Sequence, residues 1–321
     1  MHMSKTKKYS SNEVKDIIDT CYSLKPEHLF MGELKWKYLV RSALRGKNIL
    51  LLGPAGQGKT LAVQCLVDAL KRRENYFYLN MGATQDPRAT LIGNTHFNKE
   101  TGTLFDESPF VKALRTPNSI IHLDELSRAH PDAWNILLTP LDYIQRYLRL
   151  DEKLGSEIVK VADGVSFIAT ANIGNDYTAT RVMDKALTDR FTVKIEVDIL
   201  SSEEELKLVE VVCPDADMKL MDKIAQIAAT TREFTKQGKL SRFVSTRSVV
   251  EMAELTVDGF GLVELAEMVI YPDYPDDGGL DSERTMVKQV VQKHVPVKAD
   301  PLNKVFNSNN NNKDDSNLPP F

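Results

Sequence analysis

The run Gly53-Pro54-Ala55-Gly56-Gln57-Gly58-Lys59-Thr60 has the spacing G-x-x-x-x-G-K-[ST]. Its chemistry is phosphate binding. The glycines let successive backbone N–H groups converge on phosphate oxygens, and a helix opening at this point adds its dipole. Lys59 is placed to reach the β- and γ-phosphates, while the Thr60 hydroxyl ligates Mg²⁺. A glycine-rich turn can arise by chance, so context decides. Asn48-Ile49-Leu50-Leu51-Leu52 before it is a short apolar burst that reads as a buried strand, and Gly58 to Leu70 reads as a helix.

Such a loop needs an acidic partner at the end of a neighbouring strand. Ile120-Ile121-His122-Leu123-Asp124-Glu125 supplies one: Asp124 is expected to hold Mg²⁺ through its water shell and Glu125 to polarise an attacking water. His122 reads as a strand side chain, because no second His or Cys stands at ligand spacing. Phe167-Ile168-Ala169-Thr170-Ala171-Asn172 is a further apolar run ending in an amide. Alone, Asn172 is as good a turn former as a γ-phosphate ligand; its place after the phosphate loop and the Asp-Glu strand favours the ligand. Arg190, in Leu187-Thr188-Asp189-Arg190-Phe191, and Arg247, in Ser245-Thr246-Arg247-Ser248, are either ordinary salt-bridge arginines or charges that reach the γ-phosphate.

The elements that must position these groups alternate. Tyr76 to Asn80, Ser119 to Leu123 and Val165 to Ala171 read as strands between helical stretches, which implies parallel pairing in an α/β sheet. Val14, Ile17, Ile18 and Cys21 mark a helix before the first strand, and Glu33 to Leu44 repeats the pattern. Two interruptions, Asn94 to Ser108 and Arg146 to Lys160, read as inserted hairpins. After Asp198 helical periodicity takes over, near 201–212, 217–232, 246–259 and 279–293. The expected organisation is an N-terminal helical extension (1–28), an α/β nucleotide-binding domain (29–198), a small all-helical lid (199–295) and a disordered Asn-rich tail (296–321).

Composition excludes several alternatives. Of 321 residues, 42% are hydrophobic and 27% charged, the balance of a folding globular chain. Lys and Arg (41) nearly match Asp and Glu (45), so no global cationic field favours nucleic acid. The Lys71-Arg72-Arg73 run reads as a solvated helix end. Cys21, Cys65 and Cys213 form no C-x-x-C pair, which argues against zinc and a disulfide framework and fits a reducing cytoplasm. No run of about 18 apolar residues suggests a membrane span.

Taken together, the motifs resemble the AAA+ superfamily, specifically its MoxR-like branch, over roughly Leu29 to Lys293. That branch carries an insert in its second helix and a hairpin before the third motif strand, where the two interruptions fall. The resemblance implies that Gly53, Pro54, Ala55, Gly56, Gln57, Gly58, Lys59 and Thr60 form Walker A, that Asp124 and Glu125 form Walker B, and that Asn172 is sensor 1. Arg190 is then the arginine finger, with Arg181 as a second candidate, and Arg247 is sensor 2. ATP and Mg²⁺ are the implied cofactors and a self-assembled ring, hexameric in the family, the implied state. Thr231 to Phe234, Gly238 to Ser241, Ser245 to Arg247 and Phe260-Gly261 look like the lid of the CobS-type subunit of cobaltochelatase. Partners bearing a von Willebrand factor A domain are common in that branch. The resemblance implies ATP-driven remodelling of a protein client; a nucleic-acid motor, a chelatase ATPase subunit and a nucleotide-holding regulatory module are the alternatives. Pro140 departs from the pattern, since a proline within the helix after Walker B kinks or ends it.

Overall fold

A computed structural model describes residues 10–98, 102–153, 155–172 and 183–295. Residues 1–9 of the N-terminal extension, the tip of the first hairpin, Leu154 in the second, Arg181 and the Asn-rich tail lie outside the described residues. The chain divides into two compact units between Ile199 and Leu200.

The first unit is built on β1 (Ile49–Gly53), β2 (Tyr76–Asn80), β5 (Ile120–Asp124), β8 (Ser166–Asn172) and β9 (Val193–Glu196). They pair in the order β2-β5-β8-β1-β9, all parallel. A parallel sheet is covered on both faces, and its central strands are therefore apolar throughout rather than alternating. Alternation instead sorts side chains between two cores. Leu50, Ile121, Leu123, Phe167 and Ala169 enter one, with Phe110 of α5 (Pro109–Arg115) and Leu137 of α6 (Pro131–Leu141). Ile49, Leu51, Ile120 and Ile168 enter the other, with Trp36 of α2 (Glu33–Leu44) and Val63 of α3 (Lys59–Ala69). Here α1 (Ser11–Thr20) is started by a reciprocal capping box between Ser10 and Glu13, and the Trp36 indole donates to the Cys21 carbonyl at 2.8 Å, fastening α1 and α2 together. Pro140 is the penultimate residue of α6; lacking an N–H it cannot donate to the Ile136 carbonyl, and the helix ends one residue later at Leu141.

Both interruptions are hairpins. β3 (Gly93–Asn98) pairs antiparallel with β4 (Gly102–Glu107) between α4 (Pro87–Leu91) and α5, and β6 (Tyr147–Leu150) pairs with β7 (Glu157–Lys160) before β8. Four charges tie them together. Arg115 of α5 reaches Glu107 at 3.0 Å and Glu157 at 2.6 Å, and Lys153 reaches the same two carboxylates at 3.0 and 2.6 Å. α7 (Lys185–Asp189) then leads into β9.

The second unit is helical: α8 (Ser202–Val212), α9 (Met218–Lys236), α10 (Thr246–Val257), α11 (Leu262–Leu265) and α12 (Glu283–Gln292) enclose a core of Met221, Ile224, Met252, Leu265 and Val287. Between α11 and α12 lies a wide turn, Ala266–Ile270, that the helical periodicity does not mark. Inside this unit Glu205 is fully buried, bound by Arg232 and by the Thr246 hydroxyl at 2.9 Å. Burial pushes the Glu205 carboxyl upward, against the pull of Arg232. The pair connects α8, α9 and the first residue of α10. Removing one member leaves a buried charge uncompensated, which costs about 3–5 kcal/mol. Glu205→Ala is therefore expected to destabilise the second unit by about that amount in urea denaturation, and Glu205→Gln, which keeps the Thr246 contact, by less. A Glu205→Ala variant as stable as the parent chain would contradict this reading.

Candidate functional site

At the carboxyl edge of the parallel sheet, β1 runs into a loop whose glycines take backbone values that side chains rarely adopt. Gly56 has φ 77° and Gly58, the residue before α3, has φ 75°. A Cβ on Gly53 would stand 2.9 Å from the Val197 carbonyl oxygen, so the strand can pass there only as glycine. The Lys59 side chain is buried, its ammonium donating to the carbonyls of Gly53 at 2.9 Å and Pro54 at 2.6 Å. The ammonium is thus not turned to solvent: the loop's own carbonyls hold it in place.

The neighbouring strand ends align with this loop. Asn172 is the register partner of Gly53, so the amide that closes β8 stands beside the start of the loop. Asp124 closes β5, and the Thr60 hydroxyl, one residue into α3, lies 3.2 Å from both of its carboxylate oxygens. Thr170 donates to Asp124 Oδ1, and the Tyr78 hydroxyl donates to Oδ2 at 3.0 Å. Burial disfavours charge on Asp124, yet the imidazole of His122 and these hydroxyls outweigh it and hold the carboxyl well below the usual carboxylate range. Thr170, Tyr78 and His122 were not marked as site residues by sequence. Their signal was faint but present, since all three lie on strands whose ends the motifs had already located.

Glu125 follows in a left-handed conformation, φ 55°, and its amide donates to Thr170 Oγ1 at 3.0 Å. Its carboxylate faces Arg128 at 3.4 Å and packs against Gly82, where an added Cβ would meet Oε2 at 2.5 Å. A hard hydroxyl and a hard carboxylate oxygen set beside a glycine-lined loop are the donor types that Mg²⁺ takes together with nucleotide phosphates. Thr60 and Asp124 therefore fit that ion, and the loop with Lys59 fits the phosphates.

One expected residue of this unit is not brought to this edge. Arg190 precedes β9 at the opposite, amino end of the sheet, where Asn48 donates to its carbonyl at 2.9 Å. The guanidinium is held within its own chain: Nε donates to Leu138 O at 2.8 Å, Nη1 to Ala186 O at 2.6 Å, and Nη2 pairs with Asp142 at 3.3 Å. It borders a cleft of about 440 Å³ that Arg45, Lys47 and Arg146 also line. Arg247 is the second residue of α10 in the helical unit, after the Ser245 cap.

Residues 48–191 match the AAA domain of the dynein-related subfamily, and residues 205–293 match the CbbQ/NirQ/NorQ C-terminal domain. An uncharacterised protein of Staphylococcus saprophyticus is 30% identical over 213 residues, covering 65% of this chain and 78% of that protein. BssE of Thauera aromatica, described as a candidate chaperone, is 32% identical over 222 residues, covering 68% of this chain and 72% of that one. A closed-state cryo-EM structure of Hsp104 with ATPγS and FITC casein aligns with 66% of this chain and 40% of that chain, at 20% identity and a TM-score of 0.48. The helical unit thus matches a CbbQ/NirQ/NorQ domain where its motifs had suggested CobS. With an AAA domain followed by that C-terminal domain, and a relative of 32% identity of which it covers 72%, the chain belongs to the MoxR/CbbQ-type AAA+ ATPases.

Proposed function

We propose that this protein hydrolyses ATP with Mg²⁺ as a ring of identical subunits, hexameric as in its family, and uses the cycle to remodel a protein client. The carrying observation is the convergence of Lys59, Thr60, Asp124 and Asn172 at one sheet edge, with Thr60 and Asp124 oxygens 3.2 Å apart. In this reading the backbone N–H groups of Gly53 to Thr60 and the Lys59 ammonium bind the β- and γ-phosphates. Lys59 exchanges its two carbonyl partners for phosphate oxygens as nucleotide enters. Thr60 and Asp124 hold Mg²⁺, which when bound neutralises charge developing on the phosphates. Glu125 orients and deprotonates the attacking water, turning from Arg128 to do so, and Asn172 donates to the γ-phosphate or the water. Arg190 acts on the nucleotide of the adjacent subunit, and Arg247 reaches the phosphates of its own.

The kinship with BssE supports a chaperone-like role, and a von Willebrand factor A domain partner is proposed as the adaptor to the client. The reading as a chelatase subunit rests on the lid resemblance alone. The near balance of 41 basic against 45 acidic residues still weighs against a nucleic-acid motor.

Lys59→Ala is expected to lose ATP binding, measured by titration with a fluorescent analogue, while keeping the parent circular dichroism spectrum; parent-like affinity would remove the loop from the site. Glu125→Gln is expected to bind ATP normally and to turn it over about 10²- to 10⁴-fold more slowly. Unchanged turnover in single-turnover assays would take Glu125 out of the mechanism. Arg190→Ala is expected to lower turnover by about 10³- to 10⁵-fold, the usual contribution of an arginine finger, with nucleotide affinity preserved. Mixed with Lys59→Ala, itself inactive, it should recover activity, because a mixed ring pairs an intact loop with an intact Arg190. If mixed assembly is demonstrated and no activity returns, Arg190 does not act in trans, and Arg181 becomes the candidate.

A further inference from the structure

His122 has no part in the mechanism above. Its imidazole is wholly buried at the third position of β5, two residues before Asp124. On one side the Tyr76 hydroxyl lies 2.8 Å from Nδ1. On the other, Nε2 stands 3.6 Å from Asp124 Oδ1 and has no hydrogen-bond partner. Tyr78, its register partner on β2, meets the imidazole edge-on with ring centroids 5.3 Å apart and directs its own hydroxyl to Asp124.

The proton position follows from these neighbours. With the proton on Nδ1, Nε2 would point a lone pair at a carboxylate in a dry site, a repulsion that no nearby donor offsets. With the proton on Nε2, the N–H dipole is directed at Asp124, and Nδ1 accepts from Tyr76. Burial keeps that phenol protonated, its pKa pushed up to about 12, so it remains a donor. The second arrangement pairs Nδ1 with the Tyr76 hydroxyl and turns an N–H dipole, not a lone pair, toward the carboxylate. A purely structural residue at this position would be better served by the aliphatic side chains found at Ile120 and Ile121, which bring no polar atom to desolvate.

We propose that Tyr76 and His122 are positioning residues for the Asp124 carboxylate, fixing its rotation so that the edge facing Thr60 is the one offered to the Mg–nucleotide. The inference rests on the reading of Asp124 as the magnesium carboxylate. Such supporting contacts behind a ligand commonly change metal affinity by 10- to 100-fold.

The test is equilibrium binding of a fluorescent, non-hydrolysable ATP analogue to the full chain, titrated with Mg²⁺ and repeated in EDTA. His122→Leu is expected to raise the half-saturating Mg²⁺ concentration by about 10- to 100-fold and to leave affinity in EDTA unchanged. His122→Gln, whose amide nitrogen replaces Nε2, should recover most of the loss. Tyr76→Phe should shift the Mg²⁺ requirement in the same direction by less. An unchanged Mg²⁺ requirement in His122→Leu overturns the proposal, as does an equal loss of affinity with and without Mg²⁺, or a His122→Gln variant no better than His122→Leu. If His122→Leu does not fold, Tyr76→Phe decides: no shift in its Mg²⁺ requirement overturns the proposal. Asp124→Asn separates this inference from its premise. If it leaves the Mg²⁺ requirement unchanged, the reading of Asp124 fails and the positioning role with it; if it raises the requirement while His122→Leu does not, only the positioning role fails.

Discussion

The nucleotide-binding unit depends on one buried carboxylate. Asp124 closes β5, and a charge at that depth is tolerated only where donors surround it. Thr60 comes from α3, Tyr78 from β2 and Thr170 from β8, so three elements other than its own end on the same two oxygens. Parallel pairing makes this possible. Strands running the same way bring their carboxyl ends to one edge, and the crossover helices start there with unsatisfied N–H groups. The loop after β1, the acid after β5 and the amide at the end of β8 therefore meet without any long-range folding of loops.

The inserted hairpins follow a different rule. Each lays one face on the core that Phe110 and Leu137 also enter, Phe105 from the first and Leu148, Leu150 and Val159 from the second, while Phe97 and Ile158 are exposed. Charge links the two to each other. Glu107, Arg115, Lys153 and Glu157 form a closed set of alternating signs, and these partners hold the Glu107 and Glu157 carboxyls below their usual range. Being partly open to solvent, each pair stabilises only weakly. What the set contributes is register between two hairpins that are far apart in sequence.

The sequence made some of this legible and hid the rest for identifiable reasons. Strands β1, β5 and β8 were readable because a doubly covered parallel strand is an uninterrupted apolar run, the edge strand β2 because of its aromatic residues, and both hairpins because turn residues separate short β-type segments. The wide turn at Ala266–Ile270 was not readable, since its period departs from that of an α-helix and Pro272 stands two residues beyond it. The lysine of the phosphate loop was legible by type but not by orientation, because its partners are backbone carbonyls and carbonyls leave no mark in a sequence. Thr170, Tyr78 and His122 escaped for a related reason. Register decides which strand side chains meet Asp124, and register is a property of pairing that a single chain pattern does not specify.

The least legible feature was the position of Arg190, and it bears most directly on assembly. Gly53 and Asn48 lie at opposite ends of β1; at about 3.3 Å per residue they are some 16 Å apart. Arg190 is fastened at the Asn48 end through its own carbonyl, its guanidinium anchored to Leu138, Ala186 and Asp142. A side chain so anchored cannot reach phosphates bound at the Gly53 end of the same sheet. If Arg190 stabilises transferring phosphoryl charge at all, the nucleotide must belong to another subunit, and the cleft it shares with Arg45, Lys47 and Arg146 is the surface that subunit would meet. One chain then presents the two halves of the proposed site at opposite edges of one sheet, an arrangement that a head-to-tail ring can close and a single chain cannot.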